Sequence, residues 1–139
     1  MIQHFTRLLW WGVFTGASFF FTGCQFGTNC RDLTGQWTNR EGQFFHFEPD
    51  GKALWLFKFG SQFDTFPIRY YYDCKQKPAI LDLSGFQSGP LTGKTLFGIL
   101  EWTSDSSFRF DGEAGTSPDV RPATFNLEQT QRYYRENPK

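Results

Sequence analysis

The order of apolar and polar residues along this chain predicts β-strands. In the segment 52–59, Ala53, Trp55, Phe57 and Phe59 point to one side, and both lysines of the segment point to the other. A period of two is typical of a strand that has one face on a core. The same reasoning gives candidate strands at 35–39, 43–47, 52–59, 68–73, 79–83, 95–102, 107–111 and 129–135. No segment shows a convincing helical period.

Short turns join most of these segments, which predicts antiparallel neighbours. The sequence Pro49-Asp50-Gly51 is a strong turn signal, because proline presets φ and glycine accepts a positive φ. Only the loops 84–94 and 112–124 are longer. Strands of this kind form a sandwich or a barrel, and closing the sheet removes the exposed edges of so many aromatic strands. We therefore predict an all-β fold, an antiparallel up-and-down barrel of about eight strands, over residues 31–139.

Residues 1–23 have the three-part order of an export signal. A polar start ends in Arg7, an apolar run follows at 8–21, and Thr22, Gly23 and Cys24 come next. A helix that crosses a bilayer needs about 20 apolar residues, so this shorter run fits the core of a signal peptide. The last four residues, Phe-Thr-Gly-Cys, resemble the lipobox of bacterial lipoproteins, with phenylalanine in a place where that family usually has leucine.

The lipobox resemblance implies cleavage before Cys24 and a lipid on its thiol. Residues 24–30 would then be a short tether to the cell membrane or outer membrane, on its periplasmic or exterior side. Gln25 resembles the outer-membrane default of such proteins, because aspartate is the usual signal for retention in the inner membrane. The alternatives are an ordinary cleaved signal with an incidental cysteine, or an uncleaved membrane anchor.

Cysteine parity predicts a disulfide. Three cysteines leave one unpaired in an oxidising compartment. If Cys24 carries the lipid, Cys30 and Cys74 remain, and a bond between them would close a loop of 43 intervening residues. Such a bond contributes roughly 4 kcal/mol in the chain-entropy model. The alternative is a pair of free buried thiols.

The charge of the chain argues against one class of partner. The 14 basic and 14 acidic residues give a net charge of zero, and no basic stripe suited to nucleic acid is present in the sequence. Aromatic residues make up 20% of the chain, which is too many for a disordered segment. The composition favours a packed domain that binds no nucleic acid.

Several short motifs resemble those of lipocalins. Gly35-Gln36-Trp37 is similar to the Gly-x-Trp signature at the start of the first lipocalin strand. Three segments are similar, in type and order, to a group of small exported bacterial lipocalin-like domains: Leu-Thr-Gly-Gln-Trp at 33–37, Lys-Pro-Ala-Ile-Leu-Asp-Leu at 77–83, and Gly-Ile at 98–99 followed by Arg-Pro-Ala-Thr-Phe at 121–125. Each motif is short, and their order carries the resemblance.

The resemblance also implies how the barrel is closed. In lipocalins the tryptophan closes one end, and an arginine of the last strand lies across it. Here those roles would fall to Trp37 and Arg132, with Arg135 and Arg121 as substitutes. A guanidinium over a tryptophan ring adds about 1 kcal/mol or more when it is desolvated. The alternative is that Trp37 is a plain core residue and the arginines are solvated.

The sequence offers no convincing catalytic or metal-binding set of residues. His46 is the only histidine after the export signal. It lies between two phenylalanines, as an ordinary strand residue would. The segment 89–95 resembles a phosphate-binding P-loop, but it is one residue short and precedes a predicted strand instead of a helix. Four acidic residues of the predicted strands and loops could pair in space, as the two carboxylates of glycosidases do: Asp64, Asp73, Asp82 and Glu101. Scattered acids on strands are usually solvated or salt-bridged. We predict no enzyme activity, no metal and no cofactor.

The surplus of aromatic residues indicates where a ligand would bind. Pockets for small molecules are mostly apolar with a few polar groups, and Trp55, Tyr72 and Trp102 lie on predicted aromatic strands. We predict a barrel that binds a small apolar ligand at its open end. The alternative is an envelope protein that presents a surface to another protein, which a large apolar patch outside the barrel would favour. The discriminating feature is whether the barrel interior is hollow or packed.

Overall fold

The computed structural model describes residues 30–137, which form a closed β-barrel. Each strand is antiparallel to the next, and the last strand returns to pair with the first. The predicted all-β fold, an up-and-down antiparallel barrel of eight strands, is confirmed. The predicted signal peptide and Cys24 lie outside the described residues. The strands are β1 (Gly35–Thr38), β2 (Gln43–Phe47), β3 (Lys52–Phe59), β4 (Gln62–Asp73), β5 (Ala79–Ser84), β6 (Thr95–Ser104), β7 (Ser107–Gly115) and β8 (Gln131–Arg135).

Side chains of the turns fix the first hairpins. Between β1 and β2, Oδ1 of Asn39 accepts hydrogen bonds from the backbone N–H groups of Glu41 at 2.8 Å and Gln43 at 2.9 Å. Between β2 and β3, Oδ1 of Asp50 accepts from the N–H of Lys52 at 3.1 Å. These bonds favour a turn over a continued strand, and they start each returning strand in a fixed register.

Four strands extend beyond their predicted bounds, β4 and β7 by the most and β5 and β6 by one or two residues. β4 begins at Gln62, six residues earlier than predicted, and it contains Pro67. The N–H of Tyr70 donates to the carbonyl of Gly51 on the β3 side at 2.9 Å. Because backbone groups alternate between the two edges of a strand, those of Pro67 face the other edge, where a missing N–H breaks no ladder bond. β7 continues to Gly115, which shortens the predicted loop at 112–124.

Aromatic and aliphatic side chains fill the middle of the barrel. The ring of Phe45 contacts those of Trp55 and Tyr133, with centroid distances of 5.2 and 5.0 Å. The interior is packed, as is usual for a small barrel, so a ligand would have to bind at an end or on the outside. The largest fully buried side chains are Trp37, Tyr133, Phe45, Phe47, Phe108, Leu81, Leu83 and Leu100.

Gly98 on β6 shows how closely the wall and the core approach. It lies opposite Leu81 on β5 and Gly112 on β7. A Cβ atom at this position would be 2.2 Å from a ring carbon of Phe110 and 2.5 Å from the backbone oxygen of Leu81. Only glycine leaves the space that the phenylalanine ring occupies.

The predicted disulfide between Cys30 and Cys74 is confirmed, with Cα atoms 5.5 Å apart. Cys30 precedes β1 and Cys74 follows the last residue of β4. The bond therefore ties the segment before the first strand to one end of the barrel. Within residues 30–137, no helix has the length and apolar character that a membrane span requires.

Candidate functional site

Trp37 and Arg135 close the end of the barrel that lies under the N-terminal segment. Trp37 is fully buried, and its indole N–H donates to the carbonyl of Leu33 at 2.8 Å. The guanidinium of Arg135 lies 4.2 Å from the centre of the Trp37 ring and donates to the carbonyls of Thr34 at 2.7 Å and Asp32 at 2.8 Å. Hydrogen bonds from the side chain and backbone of Thr34 lower the pKa of Asp32 below its usual value.

The assignment of Arg132 to this closing role is wrong. Along β8 the side chains alternate, so Tyr133 and Arg135 share the inner face, while Arg132 is exposed on the outer face. The close approach of Arg135 depends on Gly35, because a Cβ there would be 3.0 Å from Nη1 of the arginine. In the sequence the two arginines flank Tyr133 and Tyr134, and either tyrosine could face the core, so alternation alone does not show which arginine points inward. The burial of Tyr133 in the structure decides it.

A cleft with a volume of about 710 Å³ opens beside this closed end. It exists because β5 begins at Ala79 opposite Leu100, so residues 101–104 of β6 extend past the start of their neighbour. The disulfide forms one wall, and the turn between β4 and β5 forms another. The residues that give the cleft its chemical character are Cys30, Arg31, Tyr72, Lys77, Leu100 and Trp102.

Two of the predicted ligand-binding residues meet in this cleft. The indole N–H of Trp102 donates to the hydroxyl of Tyr72 at 3.0 Å. The Trp102 ring also makes edge contacts with Trp37 and Phe108, at centroid distances of 5.6 and 5.7 Å. Since these partners are themselves buried, both rings are held in place before any ligand arrives.

The charged groups at the mouth of the cleft give it an excess of positive charge. Glu101 is paired with Arg109 at 2.9 Å, and Arg31 lies 3.4 Å from the fully exposed Asp105. Lys77 has no ion pair among the residues that the structure describes. Exposed pairs contribute little energy, so the cleft suits a neutral or anionic ligand better than a cation.

Trp55, the third predicted ligand residue, is not in this cleft. Its ring stacks on Phe45 and tilts against Phe57, with a centroid distance of 4.8 Å to the latter. It lines a separate apolar cavity of about 130 Å³, together with Phe66 on β4 and Phe86 in the loop after β5. The three aromatic residues were predicted to contact one ligand, and the structure divides them between the end cleft and this cavity.

Motif residues that are distant in sequence meet on the outer wall. The guanidinium of Arg121 makes two hydrogen bonds to the carboxylate of Asp82, one of them Nη2 to Oδ2 at 3.0 Å. It also donates to the carbonyl of Gly98 at 2.8 Å and lies 5.5 Å from the ring centre of Phe97. Arg121 thus fastens the loop before β8 to β5 and β6, and it takes no part in closing the barrel end.

An apolar groove of about 500 Å³ lies on the outer face of β2 and β3. Its lining includes Phe44, Leu54, Leu56 and Phe63, and the rings of Phe44 and Phe63 make an edge contact at 5.7 Å. His46 also lines the groove, and its Nδ1 atom has no hydrogen-bond partner among residues 30–137. This groove is an apolar patch outside the barrel.

Neither metal ligation nor comparison with known proteins adds a site. Within residues 30–137, no three His, Cys, Asp or Glu side chains lie close enough to hold a metal ion. The chain matches no protein-family model, no curated protein and no solved structure. The cleft of Tyr72 and Trp102 is therefore assigned as the candidate site on its geometry alone.

Proposed function

We propose that this chain is a lipid-anchored extracytoplasmic binding protein, whose lipocalin-like barrel holds a small apolar ligand in the cleft of Tyr72 and Trp102. The main support for this proposal is the cleft itself. It has a volume of about 710 Å³ and lies over the rings of Tyr72 and Trp102, which buried neighbours hold in place. Pockets of several hundred Å³ that combine apolar walls with a few polar groups are typical of small-molecule sites.

The chemistry of the cleft narrows the class of ligand. Ala79 and the rings of Tyr72 and Trp102 would contact an apolar or aromatic body. Lys77 has no ion pair within residues 30–137, and together with the exposed Arg31 at the mouth it would favour a neutral or anionic polar end. The packed barrel interior means that such a ligand would lie in the end cleft and not on the barrel axis.

The proposed anchor sets where the cleft would face. Cleavage before Cys24 and lipidation of its thiol are supported by the lipobox-like sequence that ends there. Five residues separate Cys24 from Cys30, so the two Cα atoms can be at most about 21 Å apart. Because the disulfide of Cys30 is a wall of the cleft, lipidation would hold the cleft close to the membrane surface.

An anionic aromatic probe tests the ligand proposal. Residues 25–139 contain every described contact of the barrel, and we expect this fragment to bind 8-anilinonaphthalene-1-sulfonate with increased probe fluorescence. The variant Trp102→Leu should weaken binding at least tenfold. The matched control Trp55→Leu removes the same ring from the other cavity and should change the affinity less than twofold.

Both variants must keep a cooperative thermal transition, because molten protein also binds such probes. If the folded wild-type fragment does not bind the probe, or if the two variants lose it equally, the cleft is not the site.

A second candidate function is contact with another envelope protein through the outer groove. The groove of Phe44, Leu54 and Leu56 favours it, because apolar patches on the outside of a soluble fold often mark interaction surfaces. Cross-linking of the full chain in membranes should then capture a partner that Phe44→Ser loses and Trp102→Leu keeps. Equal capture by both variants would count against the groove.

A further inference from the structure

The tip of the β3–β4 hairpin leaves one edge of β4 without a neighbouring strand. β5 pairs only with residues 69–73 of β4, while β3 pairs with the strand from Gln62 to Arg69. Within residues 30–137, no strand pairs with the second edge over 62–68. Most residues of this segment are exposed, and Phe63 retains 48% of its surface area.

The direction of the backbone groups shows which of them are free. Since the N–H of Tyr70 points to β3, alternation directs the backbone groups of Phe63, Thr65 and Pro67 to the open edge. Phe63 and Thr65 each offer a donor and an acceptor there, and Pro67 offers only its carbonyl. Pro67 thereby sets one end of the segment that another strand could join.

The side chains beside this edge favour a particular kind of strand. Phe66 on the inner face lines the apolar cavity of about 130 Å³, whose other walls include Phe86 and Leu91 of the loop after β5. Asp64 is two residues away on the same face, is exposed, and has no ion pair among the described residues. An apolar side chain next to Phe66 and a basic one next to Asp64 would complement this face.

We infer that the open edge of β4 binds an extended peptide segment of another protein, which adds a strand to the barrel wall. Backbone hydrogen bonds to Phe63, Thr65 and Pro67 would hold the peptide. An apolar residue in the cavity and a basic residue against Asp64, two positions apart, would select its sequence. Strand addition of this kind obtains affinity from the main chain and specificity from alternate side-chain sites.

This inference does not rest on the cleft, and the open edge shares only Phe63 with the lining of the outer groove. β4 spans 12 residues from Gln62 to Asp73, so its open edge at 62–68 lies about 17–36 Å along the strand from the disulfide end. With the anchor proposed above, the hairpin would point away from the membrane. The openness of the edge itself does not depend on that anchor.

The test uses the full chain in lipid nanodiscs and a seven-residue threonine peptide that carries leucine and lysine two positions apart. Hydrogen exchange should show fast exchange at the amide of Thr65 in the free protein and at least tenfold slower exchange with saturating peptide. The amide of Phe66, which bonds to β3, should be protected in both states. Empty nanodiscs provide the blank for peptide binding.

Two matched pairs separate strand addition from general adhesion. Thr65→Pro removes the edge donor without touching the ladder to β3 and should weaken binding at least tenfold, whereas Thr65→Val should keep it within twofold. Two further peptides carry N-methyl groups on alternate amides, one on the amides that face β4 and the other on the amides that face away. The first should bind at least tenfold more weakly, and the second should keep its affinity within twofold. The peptide pair decides the question even if Thr65→Pro fails to fold.

Four results would overturn the inference. The first two are the absence of peptide binding and equal binding of both methylated peptides. The third is retention of full affinity by folded Thr65→Pro. The fourth is protection of the Thr65 amide that rises with protein concentration in the absence of peptide, because a second copy of the chain would then occupy the edge. The variant Trp102→Leu should bind the peptide normally, so failure of the cleft proposal stays distinguishable from failure of this inference.

Discussion

Replacing Arg135 by glutamine removes the guanidinium that closes the barrel end over Trp37. The charged group makes two hydrogen bonds to backbone carbonyls, at 2.7 and 2.8 Å, and lies 4.2 Å from the ring centre. Hydrogen bonds to charged groups contribute roughly 1.5–3 kcal/mol each, and a partly desolvated cation–π contact adds about 1 kcal/mol. One of the two bonds is exposed to solvent, which reduces its share. We therefore expect a loss of about 2–4 kcal/mol in the free energy of unfolding.

Arg132→Gln is the matched control, because it removes the same group from the outer face of the same strand. Substitutions at exposed positions usually change stability by less than about 0.5 kcal/mol. Urea denaturation of both variants with the disulfide intact measures the difference, and the Arg135 variant should also melt about 10 °C lower. Equal stability of the two variants would refute this account of the barrel end.

Three further changes test other parts of the structure. Gly98→Ala should destabilise the barrel by about 3 kcal/mol in urea denaturation, since overpacking a core commonly costs about 1–3 kcal/mol and here one clash is with backbone; a loss under about 0.5 kcal/mol would mean that the wall yields easily. Replacing Cys30 and Cys74 by serine should lower stability by up to about 4 kcal/mol, and an unchanged midpoint would make the bond structurally idle. Cys24→Ser should abolish metabolic labelling with palmitate and leave an uncut precursor; labelling that persists would contradict lipidation at this residue.

Features that follow from local patterns were predictable from the sequence. Alternation along 52–59 and the turn at 49–51 depend only on neighbouring residues, and both are present in the barrel. The pairing of Cys30 with Cys74 followed from cysteine parity once Cys24 was assigned to the lipid, without any knowledge of distance. The predicted strand began only at Ile68, and a proline at position 67 argues against a strand in sequence terms. In the structure Pro67 lies within β4, where its missing N–H would point to the edge that forms no hydrogen bonds with another strand.

Features that depend on register were not predictable. Trp55, Tyr72 and Trp102 all lie on the inner face, but their heights along the barrel depend on how far each strand is shifted against its neighbours. That shift brings Tyr72 to Trp102 and leaves Trp55 in another cavity. The cleft itself arises because β6 extends past the start of β5, a length difference that no single segment reveals.

Most residues that carry the lipocalin resemblance build the barrel, and only Lys77, Pro78 and Ala79 of these motifs line the cleft. Asp82, Gly98 and Arg121 form one hydrogen-bonded cluster on the outer wall, and Trp37 closes an end. Tyr72 and Trp102, which would contact a ligand, belong to none of the resembling motifs. Two chains could therefore share every one of these motifs and bind different molecules, because a fold does not specify the chemistry of its sites. A search for the proposed ligand should therefore start from the rings of Tyr72 and Trp102 and from the positive charge at the mouth of the cleft, and not from these motifs.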